Sequence, residues 1–395
     1  MIWMGGVGVN FDLTPEQQEL VALVRRLARE KVAPRAAAID EEAAYPEDLF
    51  QVFTEAGLLG IAIPEEYGGA GMGTLGLCLA VEQVAQYCCA SGLMLLLSKL
   101  PLMPVMLGGT EEQKRKYAGG IAAGTLRGAF CLSEPDAGSD ASAIRTRAVR
   151  QGDRWVISGT KNWISGAGQA DFFTVAAQTE PGAGARGIVM FVVEKGTPGL
   201  TVGKKERKMG VRGVPVHQVM LEDVEVPESA MLGTPGGQGF KVVMGTLNSV
   251  RPVVAARGLG LAEGAITYAA EYGRRRRTFG KPILEHQGLQ WMLADLAVQL
   301  EGARLLTYRA ALAVDRGHIG KTDAWKLSVA KLSATDLAVQ AATDCLQILG
   351  AAGYMQDYPM ERHYRDAKQL QIVEGTSQIQ KNIIGRAILE GDLHW

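Results

Sequence analysis

The hydrophobic pattern of this chain changes its period twice, and that order of segments constrains the fold more than any other feature. Up to residue 128 the apolar residues recur at helical spacing. Between residues 129 and 238, short runs rich in β-branched and aromatic residues alternate with Gly, Pro and Lys turns. From 239 to 395 long helical segments return with short connections. The pattern predicts an α+β protein with an N-terminal helical domain, a middle antiparallel β domain and a C-terminal helical bundle.

The first helix has the clearest start signal. In "LTPEQQELVALVRRLAREKVAP", Thr14 is a predicted N-cap, Pro15 takes the first helical position and Gln17 completes a capping box. Apolar residues then follow on one face. We expect Pro34 to stop this helix, because proline has no N–H to donate.

Composition excludes several classes of protein. The chain has 395 residues, which allows two or three cores, and its 47% hydrophobic and 21% charged residues are ordinary for a globular protein. The net charge of −1 provides no basic field for nucleic acid. The five cysteines show no CxxC spacing. We therefore expect no disulfide framework and no metal site, in a reducing compartment.

Two stretches bear on localisation. "MIWMGGVGVN" lacks the basic region and long apolar core of a secretory signal, and it is not Arg-rich like a transit segment. "CCASGLMLLLSKLPLMPVML" is interrupted by Lys99, Pro101 and Pro104 before it reaches the roughly 20 apolar residues of a spanning helix. We expect a cytoplasmic protein without membrane insertion, and a buried helix end in the second stretch.

Three familiar motifs are incomplete or ambiguous. "GMGTLG" (71–76) matches GxGxxG, but no βαβ unit surrounds it. "GKT" (320–322) lacks the first P-loop glycine, because residue 315 is Asp. "RRRR" (274–277) is typical of a solvated helix face, although one arginine can instead reach a phosphate because "TFGKPILEHQ" follows directly.

Two segments of the middle region are suited to holding a ligand. "CLSEPDAGSDASA" (131–143) is a turn rich in backbone N–H groups and hydroxyls. "NWISG" (162–166) places Trp163 beside Ser165, which suits a planar heteroaromatic ligand. A tryptophan packed in the core of a sheet is the competing interpretation of the second segment.

Glu374 stands out near the C-terminus, in "RDAKQLQIVEGTSQIQ" (365–380). It follows Ile372 and Val373 and precedes Gly375, with no adjacent cation. One interpretation is a surface carboxylate at a loop-to-helix junction. The other is a general base kept partly dry, so that its pKa rises.

Five segments together resemble one family. They are "CLSEPDAGSD", "NWISG", "RTFGKPILEHQ", "QILGAAGYMQDYPMERHYRDAK" and "VEGTSQIQ". Their order and spacing are similar to those of the acyl-CoA dehydrogenases, over essentially the whole chain. The family fold is a helical domain, a β domain and a four-helix C-terminal domain, here 1–128, 129–238 and 239–395.

The resemblance implies a function and its partners. It implies FAD-dependent α,β-dehydrogenation of an acyl-CoA thioester to the trans-2-enoyl-CoA, with electrons passed to an electron-transferring flavoprotein. It also implies a homotetramer, or at least a homodimer, because a cofactor arginine comes from a neighbouring subunit.

The resemblance assigns the catalytic base to Glu374, in the "EGT" motif. Some relatives take the base from the residue before a conserved arginine, which here resembles Arg251. The preceding residue is Val250, which cannot accept a proton. The backbone N–H of Glu374 is implied to meet the enolate oxygen of the substrate.

The resemblance also assigns the binding residues. Those implied to bind FAD are Ser133, Trp163, Ser165, Arg276, Thr278, His286, Gln287, Gln347, Gly350, Thr376 and Gln378. Those implied to bind the acyl-CoA are Ser139, Asn248, Arg251 and Gly375. Arg276 and Thr278 match positions that reach the cofactor of another subunit, and residues 93–99 are expected to line the acyl cavity.

Several residues depart from the family pattern. Asp136 and Ala351 replace glycines, Asn248 replaces a more usual Asp, and "GVRGVPVH" lacks the frequent Ser-x-Thr. Val373 replaces an aromatic residue that often precedes the base. A smaller side chain there widens the pocket, so we hypothesise a branched or bulky acyl group.

Three alternatives remain open from the sequence. The same fold can serve an oxidase or a dehydrogenase of carrier-protein thioesters. A non-catalytic scaffold that binds flavin or CoA is the second alternative. The third is a nicotinamide enzyme built on residues 71–76.

Overall fold

The computed structural model describes residues 12–233 and 238–393, and it has the predicted helix–sheet–helix order. The first ten residues, in which we expect no secretory signal, lie outside these ranges. The N-terminal helices are α1 (Pro15–Leu27), α2 (Ala36–Glu42), α3 (Glu47–Glu55), α4 (Gly73–Ala85), α5 (Cys89–Leu96), α6 (Met103–Gly108) and α7 (Glu111–Ala122).

The capping box at the start of α1 is confirmed. Gln17 N donates to Thr14 Oγ1 at 3.3 Å, and Thr14 N donates to Gln17 Oε1 at 3.0 Å. These two bonds satisfy N–H groups that a helix start otherwise leaves unpaired.

The predicted stop at Pro34 is wrong. A π turn (Ala28–Val32) and a 3-10 turn (Ala33–Arg35) carry the helical path past the proline into α2. Pro34 lies at the start of the 3-10 turn, where a missing N–H is tolerated. The chain therefore stays helical to Glu42.

One sheet of eight strands forms the middle of the chain. Its strands are β1 (Gly128–Cys131), β2 (Arg147–Gln151), β3 (Arg154–Ser165), β4 (Phe172–Gln178), β5 (Ile188–Glu194), β6 (Leu200–Lys205), β7 (Val216–Pro227) and β8 (Met231–Leu232). The order is β6-β7-β3-β2-β4-β5-β8, with β1 beside β4. Most pairings are antiparallel, as predicted, but β1 and β2 meet β4 in parallel.

The centre of this sheet is covered on both faces. Along β4, Phe172 and Ala176 belong to an apolar cluster with Val105 of α6 and Tyr117 of α7. The alternate residues, such as Phe173, belong to a second cluster within the middle region. This alternation follows from the period of two in a strand. The face that carries Phe172 and Ala176 packs against the N-terminal helices and anchors the sheet on them.

The C-terminal region is a helical bundle with one small hairpin. Its elements are α8 (Gln238–Arg275), β9 (Arg277–Thr278), β10 (Lys281–Pro282), α9 (Gln287–Asp315), α10 (Ala324–Leu349), α11 (Met360–Leu370) and α12 (Ser377–Glu390). Helix α10 is central and packs against α8, α9, α11 and α12. Helix α8 also packs against α4, which joins the two helical regions.

The "GMGTLG" segment does not form a dinucleotide-binding turn. It follows a 3-10 turn rather than a strand, and Gly73 begins α4. The Asp315 carboxylate accepts hydrogen bonds from Thr74 N at 2.6 Å and from Leu75 N at 3.1 Å. A carboxylate therefore occupies the helix N-terminus that a nucleotide phosphate would need, which removes the basis of the nicotinamide alternative.

The apolar stretch before residue 108 forms buried helix ends, as predicted. Helix α5 has eight residues, all of them buried in the core. Across residues 12–233 and 238–393, no helix combines the length and the hydropathy needed to cross a bilayer.

Candidate active site

A cavity of about 1510 Å³ is lined by residues from all three regions. The N-terminal region contributes Leu97 and Leu100, and the bundle contributes parts of α8, α10 and α12. The residues assigned from the sequence that line it are Ser133, Ser139, Trp163, Ser165, Asn248, Arg251, Glu374, Gly375 and Thr376. The fold thus brings nine predicted residues to one cavity.

Trp163 lies on the cavity wall because β3 contains a bulge. Lys161 pairs with Val219 and Ile164 with His217, so two residues of β3 stand against one of β7. Within the bulge Trp163 has φ +59°, and 56% of its surface is exposed. A non-glycine residue held in this strained conformation, with its ring uncovered, indicates a functional role rather than a core role.

The loop that carries Ser133 and Ser139 is anchored from beneath by a buried ion pair. Lys161 Nζ donates to Glu134 Oε1 at 2.8 Å and to Leu132 O at 3.1 Å. Both charged side chains are almost completely buried. Sequence reasoning missed this pair, because Lys161 is flanked by the polar residues Thr160 and Asn162, which give no sign that it is buried.

The carboxylate of Glu134 is fully engaged. Its oxygens accept hydrogen bonds from Arg145 N at 2.6 Å and Thr146 N at 2.9 Å, in addition to the Lys161 bond. Burial alone would raise the pKa of Glu134, but the Lys161 charge and these hydrogen bonds bring it below the usual value. Glu134 is therefore an ionised structural residue.

Glu374 lies in the turn between α11 and α12, with φ +49°. Its Oε2 atom is buried and receives no hydrogen bond from the described residues. Burial raises the pKa of Glu374, although the nearby charges of Arg257 and Lys331 oppose that rise. A desolvated carboxylate without a direct partner has the properties of a general base.

The turn around Glu374 is held by its neighbours. Gly375, at φ +93°, has a carbonyl oxygen that accepts from Lys331 Nζ at 2.9 Å and from Gln380 Nε2 at 2.8 Å. Thr376 caps α12, because its Oγ1 accepts from Ile379 N at 3.3 Å. Glu374 is thereby carried on a turn with fixed ends.

Asp336 of α10 provides a further anchor for the same turn. Its Oδ1 accepts from Gln371 Nε2 at 2.7 Å and from Ser377 Oγ at 2.9 Å, one residue on each side of the turn. Neither Lys331 nor Asp336 was singled out in the sequence, since both lie more than one helix away from Glu374 along the chain.

Arg251 and Asn248 form a linked pair on α8. Arg251 Nη1 donates to Asn248 Oδ1 at 2.5 Å, and Asn248 Nδ2 donates to Ile319 O at 2.8 Å. Burial lowers the pKa of Arg251 to about 10, so it stays charged at neutral pH. Among the described residues no carboxylate lies within ion-pair distance of Arg251, so the arginine presents a positive charge at the cavity wall.

Seven of the assigned residues do not line this cavity. They are Arg276, Thr278, His286, Gln287, Gln347, Gly350 and Gln378. The first four lie on or beside the β9–β10 hairpin, where Phe279 is 94% exposed and packs edge-on against the His286 ring. Gln347 and Gly350 are exposed at the end of α10, and Gln378 is exposed in the first turn of α12.

The expectation that residues 93–99 line the acyl cavity is largely wrong. Leu97 lines it, but Leu93, Met94 and Leu95 are packed in the core. The reason is that α5 is buried on every side, so within the expected range Leu97, just after its end, reaches the cavity. Leu100, just beyond the predicted range, also lines it.

Two of the departures from the family pattern lie on the surface. Asp136 is exposed and pairs with Arg145 Nη1 at 3.4 Å. Ala351 is also exposed, and neither residue lines the cavity. Val373, in contrast, lines the cavity next to Glu374.

The cavity residues fit a flavin. An uncovered indole at a strained bulge, with the hydroxyl-bearing Ser165 two residues on, matches the edge and face of a planar heteroaromatic ring. Ser133 adds a further polar group at the end of the anchored loop. Protein side chains alone cannot accept a hydride, so a redox reaction here requires such a group.

Comparison with known proteins agrees with this description. Family models for the acyl-CoA dehydrogenase N-terminal, middle and C-terminal domains match residues 14–125, 129–224 and 237–389. A probable acyl-CoA dehydrogenase, FadE25 of Mycobacterium tuberculosis, is 40% identical over 98% of this chain and 99% of its own.

Solved structures extend the comparison. The butyryl-CoA dehydrogenase of Megasphaera elsdenii superposes with a TM-score of 0.93 at 39% identity, covering 96% of this chain and all of that one. The prolyl acyl carrier protein oxidase AnaB superposes with a TM-score of 0.91 at 28% identity, covering 95% of this chain and all of that one.

Fold and cavity define an oxidoreductase built from two helical regions around a β sheet. The chain belongs to the acyl-CoA dehydrogenase family, whose members are flavoproteins.

Proposed function

We propose that this protein oxidises an acyl-CoA thioester to the trans-2-enoyl-CoA, with FAD as cofactor and Glu374 as the catalytic base. The observation that carries the proposal is the buried, unpaired Oε2 atom of Glu374 in a cavity shared with Trp163 and Ser165. An unpaired carboxylate in the interior is costly, and proton abstraction accounts for its retention.

The proton step uses the environment of the base. Glu374 takes the proton from the α carbon of the thioester, and its raised pKa brings its proton affinity closer to that of this weak carbon acid. The Glu374 N–H donates to no backbone carbonyl of the described residues. We propose that it donates to the thioester oxygen, where negative charge develops.

The flavin site is proposed to lie beside Glu374. FAD, when bound, would supply the acceptor for the hydride that leaves the β carbon of the substrate. Trp163, Ser165 and Ser133 are proposed to hold the flavin ring system. Thr376 caps α12, and Gln378 lies in its first turn, at a helix N-terminus that favours the diphosphate.

Six assigned residues are proposed to complete the FAD site of a neighbouring subunit. They are Arg276, Thr278, His286, Gln287, Gln347 and Gly350. This role is supported by their position outside the cavity and by Phe279, which is 94% exposed in the described part of the chain. An FAD site completed in this way requires at least a homodimer, and we propose the tetramer typical of the family.

The substrate is proposed to enter past α8. Ser139, Asn248 and Arg251 line the cavity together with Gly375, and they are assigned to the CoA portion. Next to the base, Val373 leaves room where an aromatic residue would fill the cavity. We therefore propose a branched or bulky acyl group, which fills space that a straight chain leaves empty.

Electrons are proposed to pass to an electron-transferring flavoprotein. The fold of a carrier-protein oxidase is also close to this one, so a reaction with oxygen is the second candidate. Stoichiometric peroxide release under air identifies the oxidase, and its absence supports the electron-transferring flavoprotein.

The test is anaerobic reduction of the bound flavin by a panel of straight and branched acyl-CoAs. We expect bleaching, fastest with branched or bulky chains. Val373→Tyr is expected to slow reduction by branched chains about tenfold or more while preserving reduction by straight chains. Straight-chain preference in both proteins would refute the acyl assignment. A bound flavin that no acyl-CoA reduces would refute the dehydrogenase, and absence of flavin after reconstitution would favour the scaffold.

A further inference from the structure

Lys331 is a buried lysine beside the turn that carries the base. It belongs to α10, and its side chain is completely buried. Nearly all buried lysines are paired with a carboxylate. Among the described residues Lys331 has no carboxylate within ion-pair distance, and its Nζ donates to the carbonyl oxygen of Gly375 at 2.9 Å. The ammonium group is thus directed to the Gly375–Thr376 peptide, within the turn that carries Glu374.

That peptide needs external support. Glu374 and Gly375 both have positive φ, +49° and +93°, and such a conformation is strained for glutamate. The two donors on Gly375 O, Lys331 Nζ and Gln380 Nε2, use both of its acceptor positions. A Cβ on Gly375 would come within 2.6 Å of Gln380 Nε2, so the turn has little room to shift.

Charged groups surround this point on three elements. Helix α8 contributes Arg251 and Arg257, α10 contributes Asp336 and Lys331 itself, and the turn contributes Glu374. Burial lowers the pKa of Lys331 to about 8, with Glu374 opposing and Arg251 adding to the effect. Lys331 is therefore mostly protonated at neutral pH and loses its charge in mildly alkaline solution.

Arg257 differs from Lys331 in what it contacts. Its Nη2 donates to Gln369 Oε1 at 3.0 Å and lies near the Cys89 carbonyl, so its contacts run to α11 and α5. Arg251 contacts Asn248 on its own helix. Of these three cations, Lys331 is the one in hydrogen-bond contact with the base turn.

We propose that Lys331 is a positioning residue for Glu374, whose ammonium group fixes the left-handed turn through the Gly375 carbonyl and supplies the positive charge that stabilises the ionised base. The proposal rests on the proposed role of Glu374 as the base. It also distinguishes two roles at the Gly375 carbonyl. Lys331 supplies a hydrogen bond and a charge, whereas Gln380 supplies a hydrogen bond alone.

The variants separate charge from hydrogen bonding. Lys331→Met removes both, Lys331→Gln removes the charge but keeps a donor, and Lys331→Arg keeps the charge. Gln380→Leu is the matched control, because it removes the neutral donor to the same carbonyl. Flavin content and circular dichroism of each full-length holoenzyme establish that it is folded.

The measurement is the rate of anaerobic flavin reduction by the best acyl-CoA of the panel, between pH 6 and pH 9. We expect Lys331→Met and Lys331→Gln to move the rate profile to higher pH by about one pH unit and to slow reduction about tenfold at pH 7. Lys331→Arg is expected to restore the wild-type profile, and Gln380→Leu to change the rate without moving the profile. The substrate concentration that gives half of the maximal reduction rate should change less than twofold.

Each outcome decides between the accounts. A folded, flavin-loaded Lys331→Gln or Lys331→Met enzyme with an unmoved profile would overturn the proposal. An equal movement of the profile in Gln380→Leu would also overturn it, since the charge would then be irrelevant. If Lys331→Met does not fold, Lys331→Gln carries the test. Failure of the wild-type protein to be reduced would instead refute the proposed function, and this inference with it.

Discussion

Glu134 and Glu374 are two glutamates with buried carboxylate atoms, and each lies near a buried lysine, but their hydrogen bonds differ. The Glu134 carboxylate accepts from Lys161 and from two backbone N–H groups, and its pKa lies below the usual value. The Glu374 carboxylate has an unpaired Oε2, its lysine contacts the neighbouring carbonyl, and its pKa is raised. The same two residue types thus form an ion-pair anchor at Glu134 and, in the role we propose, a base at Glu374, according to which oxygen the ammonium group contacts.

The difference has a physical cause. A carboxylate that is fully hydrogen-bonded and paired is stabilised in its ionised form, so it holds a loop but takes up protons poorly. A carboxylate that is desolvated and has no direct partner does not anchor a neighbouring segment, but its proton affinity is higher than that of a paired carboxylate. Lys331 contacts the carbonyl oxygen of Gly375 instead of the Glu374 carboxylate. Its charge therefore acts on Glu374 from nearby without forming an ion pair that would weaken the proposed base.

Replacing each of the two lysines is expected to produce the largest difference between the two sites. Lys161→Met leaves Glu134 buried without its countercharge, and we expect a loss of about 3–5 kcal/mol in the free energy of unfolding, together with poor flavin retention. Lys331→Met leaves a carbonyl that still accepts from Gln380, so about 1 kcal/mol is expected. Urea denaturation of the two variants measures both values.

A second replacement controls this prediction. Adding Glu134→Gln to Lys161→Met removes the unpaired charge, and it should recover part of the lost stability. Equal losses in the two lysine variants would contradict the distinction between an ion-pair anchor and a turn anchor.

The two glutamates should also give opposite pH dependence of stability. The folded-state pKa of Glu134 is depressed, so its stabilisation is present above the unfolded value of about 4.3 and is lost as pH falls through the folded value. Glu134→Gln is therefore expected to destabilise the protein at pH 7 and to approach wild type in acid.

For Glu374 the sign is reversed. Its folded-state pKa is raised, so the stability contributed by the protonated form is complete below the unfolded value and is lost as pH rises through the folded value. Glu374→Gln should thus stabilise the protein at pH 8 and match wild type at low pH. Denaturant unfolding at several pH values tests this, and destabilisation by both variants at pH 8 would contradict it.

Much of the fold could be predicted because its signals are local. The start of α1 depends on Thr14 and Gln17, three residues apart, and the long helices of the bundle depend on a repeated period. The failure at Pro34 came from treating a proline as a stop, when a short 3-10 turn accommodates it. The parallel pairings of β4 were missed because a strand's own sequence does not specify its neighbours.

Site residues that belong to a sequence motif could be predicted, whereas those defined by contacts between distant segments could not. The "EGT" motif singled out Glu374, which does line the cavity, whereas the sequence around Trp163 predicts an ordinary strand and gives no sign of the bulge. Lys161 lies 27 residues from Glu134, and Lys331 lies 44 residues from Gly375. Such pairs are created by packing, so one sequence does not reveal which atoms meet.

The most direct test of the central claim is the pH dependence of anaerobic flavin reduction in the wild-type protein and in Glu374→Gln. An unpaired, desolvated base predicts a rate that rises with pH to a plateau, with an apparent pKa above the usual value for glutamate. Glu374→Gln should retain its flavin but slow reduction by about a thousandfold or more. Reduction of Glu374→Gln at the wild-type rate, or a wild-type profile that titrates at the ordinary glutamate pKa, would contradict the account.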